Sequence, residues 1–261
     1  MQHRYFGDVG DYGKYGLLRV LCGNENTRLR LGVIWYLYPD ESHNQDGKHL
    51  GYLKTENYRA CDEFLYDGLR AKLLDDAGEI LVHRRNLGTL TGSHILPDDS
   101  AFFSEPLSFP AKSSAADRRC MREAWFADAL RQTVPAELVF LDPDNGIECA
   151  SVSRFSRKGP KYTYWDDIAA IVARNQSVVV YHHLNRSAVH SQQVKVLLNE
   201  IRLRFPGCDP LATIFRRGSG RAYFIIPSTE HHLLLHERLD QFALSQWNSH
   251  FLTAHSSAVG G

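Results

Sequence analysis

The stretch AELVFLDPDNGIE, residues Ala136–Glu148, decides the fold. Leu138–Leu141 is a short apolar run of the kind that forms a strand buried on both faces. It ends abruptly on Asp142, Pro143, Asp144, Asn145 and Gly146. A carboxylate at the end of a buried strand costs several kcal/mol unless it is paired, hydrogen-bonded or metal-bound. Pro143 fixes one dihedral of the turn and Gly146 permits a positive φ. The turn is therefore predicted to aim Asp142, Asp144 and Asn145 into one small volume. The alternative is a helix cap or Asx turn with no further role.

Working outward towards the C-terminus, a basic loop (SRFSRKGPKYTYW) leads to a helix over DDIAAIVAR. SVVVYHH (Ser177–His183) reads as another buried strand, and SQQVKVLLNEIRLRF as a helix. LATIFRRGSGRAYFIIP holds two strands around a Gly-Ser-Gly turn too short for a crossover, so they form an antiparallel hairpin. A helix rich in histidine and leucine then leads to the C-terminus. Towards the N-terminus, helices are predicted over Asp117–Thr133, with Met121, Trp125 and Leu130 among its apolar positions, and over Ala60–Leu74. Strands are predicted at Leu29–Leu37 and Gly78–Asn86, with a third at Ser100–Glu105. Leu17–Cys22 reads as a helix opening. Strands alternating with helices predict a single α/β domain over residues 1–261, with residues 1–28 as an N-terminal flap and helix. Its sheet is Rossmann-like and mostly parallel, with a C-terminal antiparallel hairpin strand.

Thirty basic residues balance thirty acidic ones, so nucleic acid can be drawn only by a local patch. No run approaches the roughly 18 apolar residues of a membrane span. The opening MQHRYFGDVG lacks the apolar segment of a signal peptide, so a cytoplasmic location is expected. Five scattered cysteines without a CxxC argue against a thiolate zinc site or a disulfide framework.

Ligands of open α/β sheets lie beyond the carboxyl ends of the strands. Three polar groups fall there: Asp40–His49, the Asp142–Gly146 turn, and His182-His183 with Asn185 and Arg186 beyond. Adjacent strand residues face opposite ways, so one histidine of the pair is expected at the site. A fourth group precedes the first strand. YFGDVGDYGKYGLLRVL (Tyr5–Leu21) has Gly7, Gly10, Gly13 and Gly16 at every third residue, with Asp8, Asp11 and Lys14 beside them. One acid there can cap a helix. The constant glycine spacing is expected to let a ligand approach the backbone. The flap should bring Asp11 and Lys14 towards Asp142.

With these residues assembled, the chain resembles class I S-adenosylmethionine-dependent methyltransferases, nearest the bacterial large-subunit rRNA adenine-N6 methyltransferases. Gly7, Asp11 and Lys14 follow that family's N-terminal Gly-x-x-x-Asp-x-x-Lys order. LVFLDPDNG stands where the family has a strand ending in Asp-Pro-Pro-Tyr, and RRGSGRAYFIIP resembles its closing hairpin. The chain also resembles a bacterial family sharing FGDxxDYxKY and LDPDNG motifs, which implies no reaction. The methyltransferase resemblance implies an enzyme that methylates an amine of nucleic acid. Asp142, Asp144, Asn145 and His182 would be catalytic. Gly7, Asp8, Asp11, Lys14, Tyr38 and Asp40 would bind S-adenosylmethionine, with the loop running on to Asp46. Arg154, Arg157, Lys158, Lys161, Arg216, Arg217 and Arg221 are the expected nucleic-acid contacts. The residues also admit a metal-dependent nuclease or phosphoesterase, with Asp8, Asp11, Asp142, Asp144 and His183 as ligands of a divalent cation. A third reading is a non-catalytic binding module.

Overall fold

The structure, a computed structural model, describes residues 1–41 and 47–254. Its helices are α1 (Val9–Cys22), α2 (Glu56–Arg59), α3 (Glu63–Leu73), α4 (Ala115–Gln132), α5 (Trp165–Val172), α6 (His190–Arg204) and α7 (His232–Leu244). Its strands are β1 (Leu31–Ile34), β2 (Ala101–Phe103), β3 (Leu138–Leu141), β4 (Gly146–Ile147), β5 (Tyr162–Thr163), β6 (Ser177–His183), β7 (Leu211–Phe215), β8 (Arg221–Ile226) and β9 (Phe251–Ala254). Seven of them form one sheet in the order β2-β1-β3-β6-β8-β7-β9. β2, β1, β3 and β6 run parallel, and β8 is antiparallel to both β6 and β7. The α/β class and the mostly parallel sheet are as the sequence predicts. No helix among the described residues is long and apolar enough to cross a membrane.

Alternate residues of the central strands feed two cores. Val33, Leu138, Phe140 and Val179 join α1, α3 and α7 on one face. Ile34, Val139, Leu141, Val178 and Val180 join α4, α5 and α6 on the other. Covering both faces is what makes these strands read as unbroken apolar runs.

Four expectations change. Gly78–Asn86 is not a strand: the Asp75 carboxylate takes the N–H groups of Ala77 and Glu79 (3.0 and 2.8 Å), and only Ile80 bridges to Leu74. Without a sheet edge to pair with, the segment continues as a short 3-10 turn at Val82–Arg84. The reversed hairpin strand is inserted between β6 and β7 rather than closing the sheet, and the chain returns after α7 as β9, antiparallel to β7. Met121 is exposed, while α4 buries Arg122, Trp125 and Ala129.

The fourth change concerns the glycines. The helix starts at Val9, eight residues before Leu17, because Asp8 caps it: its Oδ1 accepts from the N–H groups of Gly10 and Asp11 at 2.8 and 3.0 Å. A three-residue period inside a helix makes a stripe, and here that stripe is a groove against other elements. A Cβ at Gly10, Gly13 or Gly16 would lie 2.5, 2.5 or 2.1 Å from atoms of Arg221, Phe215 or Trp247. The spacing thus serves close packing, and only Gly10 borders the cleft described below. Substituting Gly16→Ala is expected to lower stability by about 1–3 kcal/mol through overpacking, despite the roughly 1 kcal/mol that alanine gains in helix propensity. Gly51, with open space around its Cβ position, supplies a near-neutral Gly51→Ala control. Urea midpoints test this, and a Gly16→Ala protein as stable as the parent would mean that Trp247 does not set the limit.

Candidate active site

The sheet order reverses at β1, whose chain continuation β2 lies on one side and β3 on the other. The crevice at such a switch point is where doubly wound folds bind ligands. Ile34 and Leu141, the last residues of β1 and β3, are paired there. Just beyond them lies a cleft of about 490 Å³. α1 forms one wall with Asp8, Gly10, Asp11 and Lys14, and the turn after β3 contributes Asp142–Asn145. His183, Arg221, Lys161, Glu41, His49 and Tyr181 add further polar lining.

Lys14 is the centre of the site. Its Nζ donates to Asp11 Oδ1 at 2.8 Å and to Asp142 Oδ2 at 2.7 Å. All three side chains are buried. The ammonium also lies 5.6–6.0 Å from the ring centres of Trp35, Phe140 and Tyr181, within cation–π range. Burial by itself would lower the lysine pKa, but the carboxylates of Asp11 and Asp142 outweigh it and hold the ammonium well above its usual range. Asp11 is fully engaged, since its Oδ2 accepts from Gly7 N–H (3.1 Å) and Tyr15 Oη (2.9 Å). Burial raises the pKa of Asp142, against the pull of Lys14. Burial likewise raises Asp8, against Arg221, whose guanidinium is 3.6 Å away.

Asp144 binds the amino nitrogen of Met1 (2.6 Å) and Gln2 Nε2 (2.8 Å). The same Met1 nitrogen donates to the carbonyls of Tyr36 and Asp142, bridging the ends of β1 and β3. Burial would raise the Asp144 carboxyl, but the Met1 amine, Gln2 and Lys161 bring it below the usual range. Lys161 also pairs with Glu41 at 2.6 Å.

Most of the expected site converges. Asp8, Asp11, Lys14, Asp142, Asp144 and Asn145 all line the cleft, and α1 brings Lys14 onto Asp142 as expected of the flap. Of the two strand-end histidines, His183 faces the cleft. His182 turns away from it: its Nδ1 accepts the Ile147 N–H at 3.1 Å and ties β4 to the end of β6. A Cβ at Gly146, where φ is +111°, would lie 2.5 Å from that Nδ1, so this glycine serves both the turn and the histidine.

Gly7, Tyr38 and Asp40 do not line the cleft. Gly7 supports Asp11, Tyr38 lies under the Lys161 ammonium, and Asp40 accepts from Arg4 N–H. Residues 42–46 of the expected cofactor loop lie outside the described residues. The expected basic patch disperses. Arg154 pairs with Asp166, Arg157 binds the Ala111 carbonyl, and Arg216 and Arg217 bind the carbonyls of Asn248 and Ser249. Lys158 is exposed and does not line the cleft, leaving Lys161 and Arg221 as its basic lining beside Lys14.

The metal alternative is also altered. Asp8, Asp11, Asp142, Asp144 and His183 form no three-ligand cluster among the described residues. Asp11 and Asp142 do share a cation, but it is the Lys14 ammonium. Gln2 and the Met1 nitrogen escaped the sequence reading, as did the buried Arg122–Asp167 pair, which holds Tyr36 Oη behind the site.

No family model matches the chain, and no curated protein matches it. Among solved structures the chain is similar to protein LPL1258 from Legionella pneumophila str. Philadelphia 1, of the DUF519 family model. The TM-score is 0.49 and the identity 11%, over 97% of this chain and 98% of that one.

Proposed function

We propose that the chain is an S-adenosylmethionine-dependent methyltransferase-like enzyme acting on an amine of nucleic acid. The observation that supports it most is the position of Asp142: a buried carboxylate at the carboxyl end of β3, lining a switch-point cleft. A mostly parallel sheet with one reversed hairpin strand is also what the resemblance implies.

The cleft's chemistry fits a zwitterionic cofactor. Its volume lies in the range of small-molecule sites, roughly 300–1,000 Å³. Arg221 and Lys161 offer cations to a carboxylate, while Asp8 and Glu41 offer acceptors to an ammonium or to ribose hydroxyls. Bound S-adenosylmethionine supplies an electrophilic methyl group. Asp142 accepts a hydrogen bond from the acceptor amine and so orients its lone pair. Lys14 fixes that carboxylate at 2.7 Å, and its charge opposes the effect of burial on it. Asp144 and Asn145 hold the rest of the turn, with the Asn145 N–H anchored on the Lys161 carbonyl at 2.9 Å. The chain's contribution is thus positioning and fixed charge.

Titration calorimetry of the full chain with S-adenosylmethionine is the first test, and one-to-one saturable binding is expected. Silence up to millimolar concentration would remove the basis of the proposal. Asp142→Asn is expected to keep cofactor affinity within a few-fold and to lower methyl transfer to RNA or DNA by roughly 10²-fold, the scale of a lost positioning contact. Unchanged transfer would take Asp142 out of the reaction.

A further inference from the structure

We propose that His232, His236 and Asp209 form a divalent transition-metal site, independent of the cleft. His232 and His236 lie one turn apart on α7, an i,i+4 spacing that puts both rings on one face. Their ring centres are 4.5 Å apart. Asp209 arrives from a separate segment, the connection between α6 and β7. Its Oδ2 is 3.8 Å from His232 Nε2 and 3.5 Å from His236 Nε2. All three ligand atoms lie within 4.8 Å of one another, and this is the only such trio among the described residues. Small rotamer adjustments bring three atoms so spaced to the roughly 2.0–2.2 Å that zinc requires of imidazole nitrogen and carboxylate oxygen.

Two imidazoles and one carboxylate select a borderline cation such as Zn²⁺ or Co²⁺ over Mg²⁺ or Ca²⁺, which prefer all-oxygen shells. His236 Nε2 also lies 3.4 Å from the Asp209 backbone carbonyl, a contact that metal ligation would replace. Asp209 divides its oxygens, with Oδ1 towards Arg202 at 3.9 Å and Oδ2 towards the histidines. His231 points elsewhere, its Nδ1 held by Ser177 and Ser228 at 3.1 Å each. Cys208 is not one of the three, its thiol lying 4.0 Å from the Pro227 carbonyl. A metal here bridges α7 to the α6–β7 connection, so binding is linked to the stability of that part of the fold. Three protein ligands leave a fourth position for water.

The test uses the untagged full chain, because an affinity tag would supply histidines of its own. Zn²⁺ titration by calorimetry is expected to show one saturable site, and zinc at about 100-fold over its Kd should raise Tm by on the order of 5 °C. Mg²⁺ should do neither. His236→Ala and Asp209→Ala, at partly exposed positions, should keep the parent's circular dichroism and weaken zinc binding at least tenfold. Co²⁺ should give weak visible bands without thiolate charge transfer. No saturable zinc binding in the parent overturns the site. So does equal affinity in both variants, or an intense near-ultraviolet thiolate band, either of which moves the ion elsewhere.

Discussion

Replacing Lys14 with methionine is expected to lower the unfolding free energy by about 3–5 kcal/mol, the usual cost of removing one partner from a buried ion cluster. Methionine fills much of the same volume, so the loss is electrostatic rather than a cavity effect. Without the ammonium, Asp11 and Asp142 stand 97% or more buried with no neutralising cation between them. Trp35, Phe140 and Tyr181 offer ring faces, which favour a cation and do nothing for a carboxylate. The region would then carry uncompensated buried charge and tend to open. Adding Asp11→Asn and Asp142→Asn to the Lys14→Met chain removes the stranded charges. Asparagine at position 11 still accepts from Gly7 N–H and Tyr15 Oη. Much of the lost stability should return. Urea unfolding of the parent, the single and the triple variant measures both effects, provided the m-values agree. A Lys14→Met loss below about 1 kcal/mol, or no recovery in the triple variant, would sink the account of Lys14 as the neutralising centre.

The same cluster shows how far the chain could be read before folding. Asp142 was legible because a charge at the end of four apolar residues has few affordable environments. Its partner was half legible. The flap was expected to bring Asp11 and Lys14 towards Asp142, but nothing local says that one ammonium would bridge both carboxylates. The glycines misled for a physical reason. Glycine is a poor helix former, so Gly10, Gly13 and Gly16 argue against a helix on propensity. Only the tertiary neighbours Arg221, Phe215 and Trp247 explain why a missing side chain is required at each. A three-residue period does carry a helical signal, since i and i+3 share a face, and Asp8 ahead of it is a capping residue. Arg122 was hidden by its type. An arginine in an amphipathic helix reads as solvated, whereas this one is buried against Tyr36, Trp125, Phe126 and Tyr164 and neutralised by Asp167. The strand at Gly78–Asn86 failed because β-branched composition promises a strand only where a sheet edge exists to pair with it.

The histidine pair separates cleanly, and His182 yields the second large expectation. Lowering the pH from 6.5 towards 4 should cost the protein about 3 kcal/mol through this one residue. Burial, reinforced by the neighbouring His183, lowers the His182 pKa to about 4. The geometry gives the same direction. Nδ1 accepts the Ile147 N–H, so the folded ring is neutral with its proton on Nε2. Protonating Nδ1 would set two donors against each other and release β4 from β6. The unfolded chain has no such restraint and takes up a proton near the ordinary histidine value. Between the two values the unfolded state therefore binds more protons than the folded one, and stability falls as pH drops. Above the unfolded value the effect vanishes, and below about 4 it levels off because both states are protonated. His250, also lowered to about 4 by burial, has the same sign, so the parent's slope contains both. Comparison with His182→Gln isolates the first. Glutamine offers a carbonyl to the Ile147 N–H but does not titrate, so its curve should be flatter than the parent's by about 3 kcal/mol across this window. Urea midpoints at several pH values between 4 and 7 decide the matter: parallel curves would mean that folding does not lower the His182 pKa.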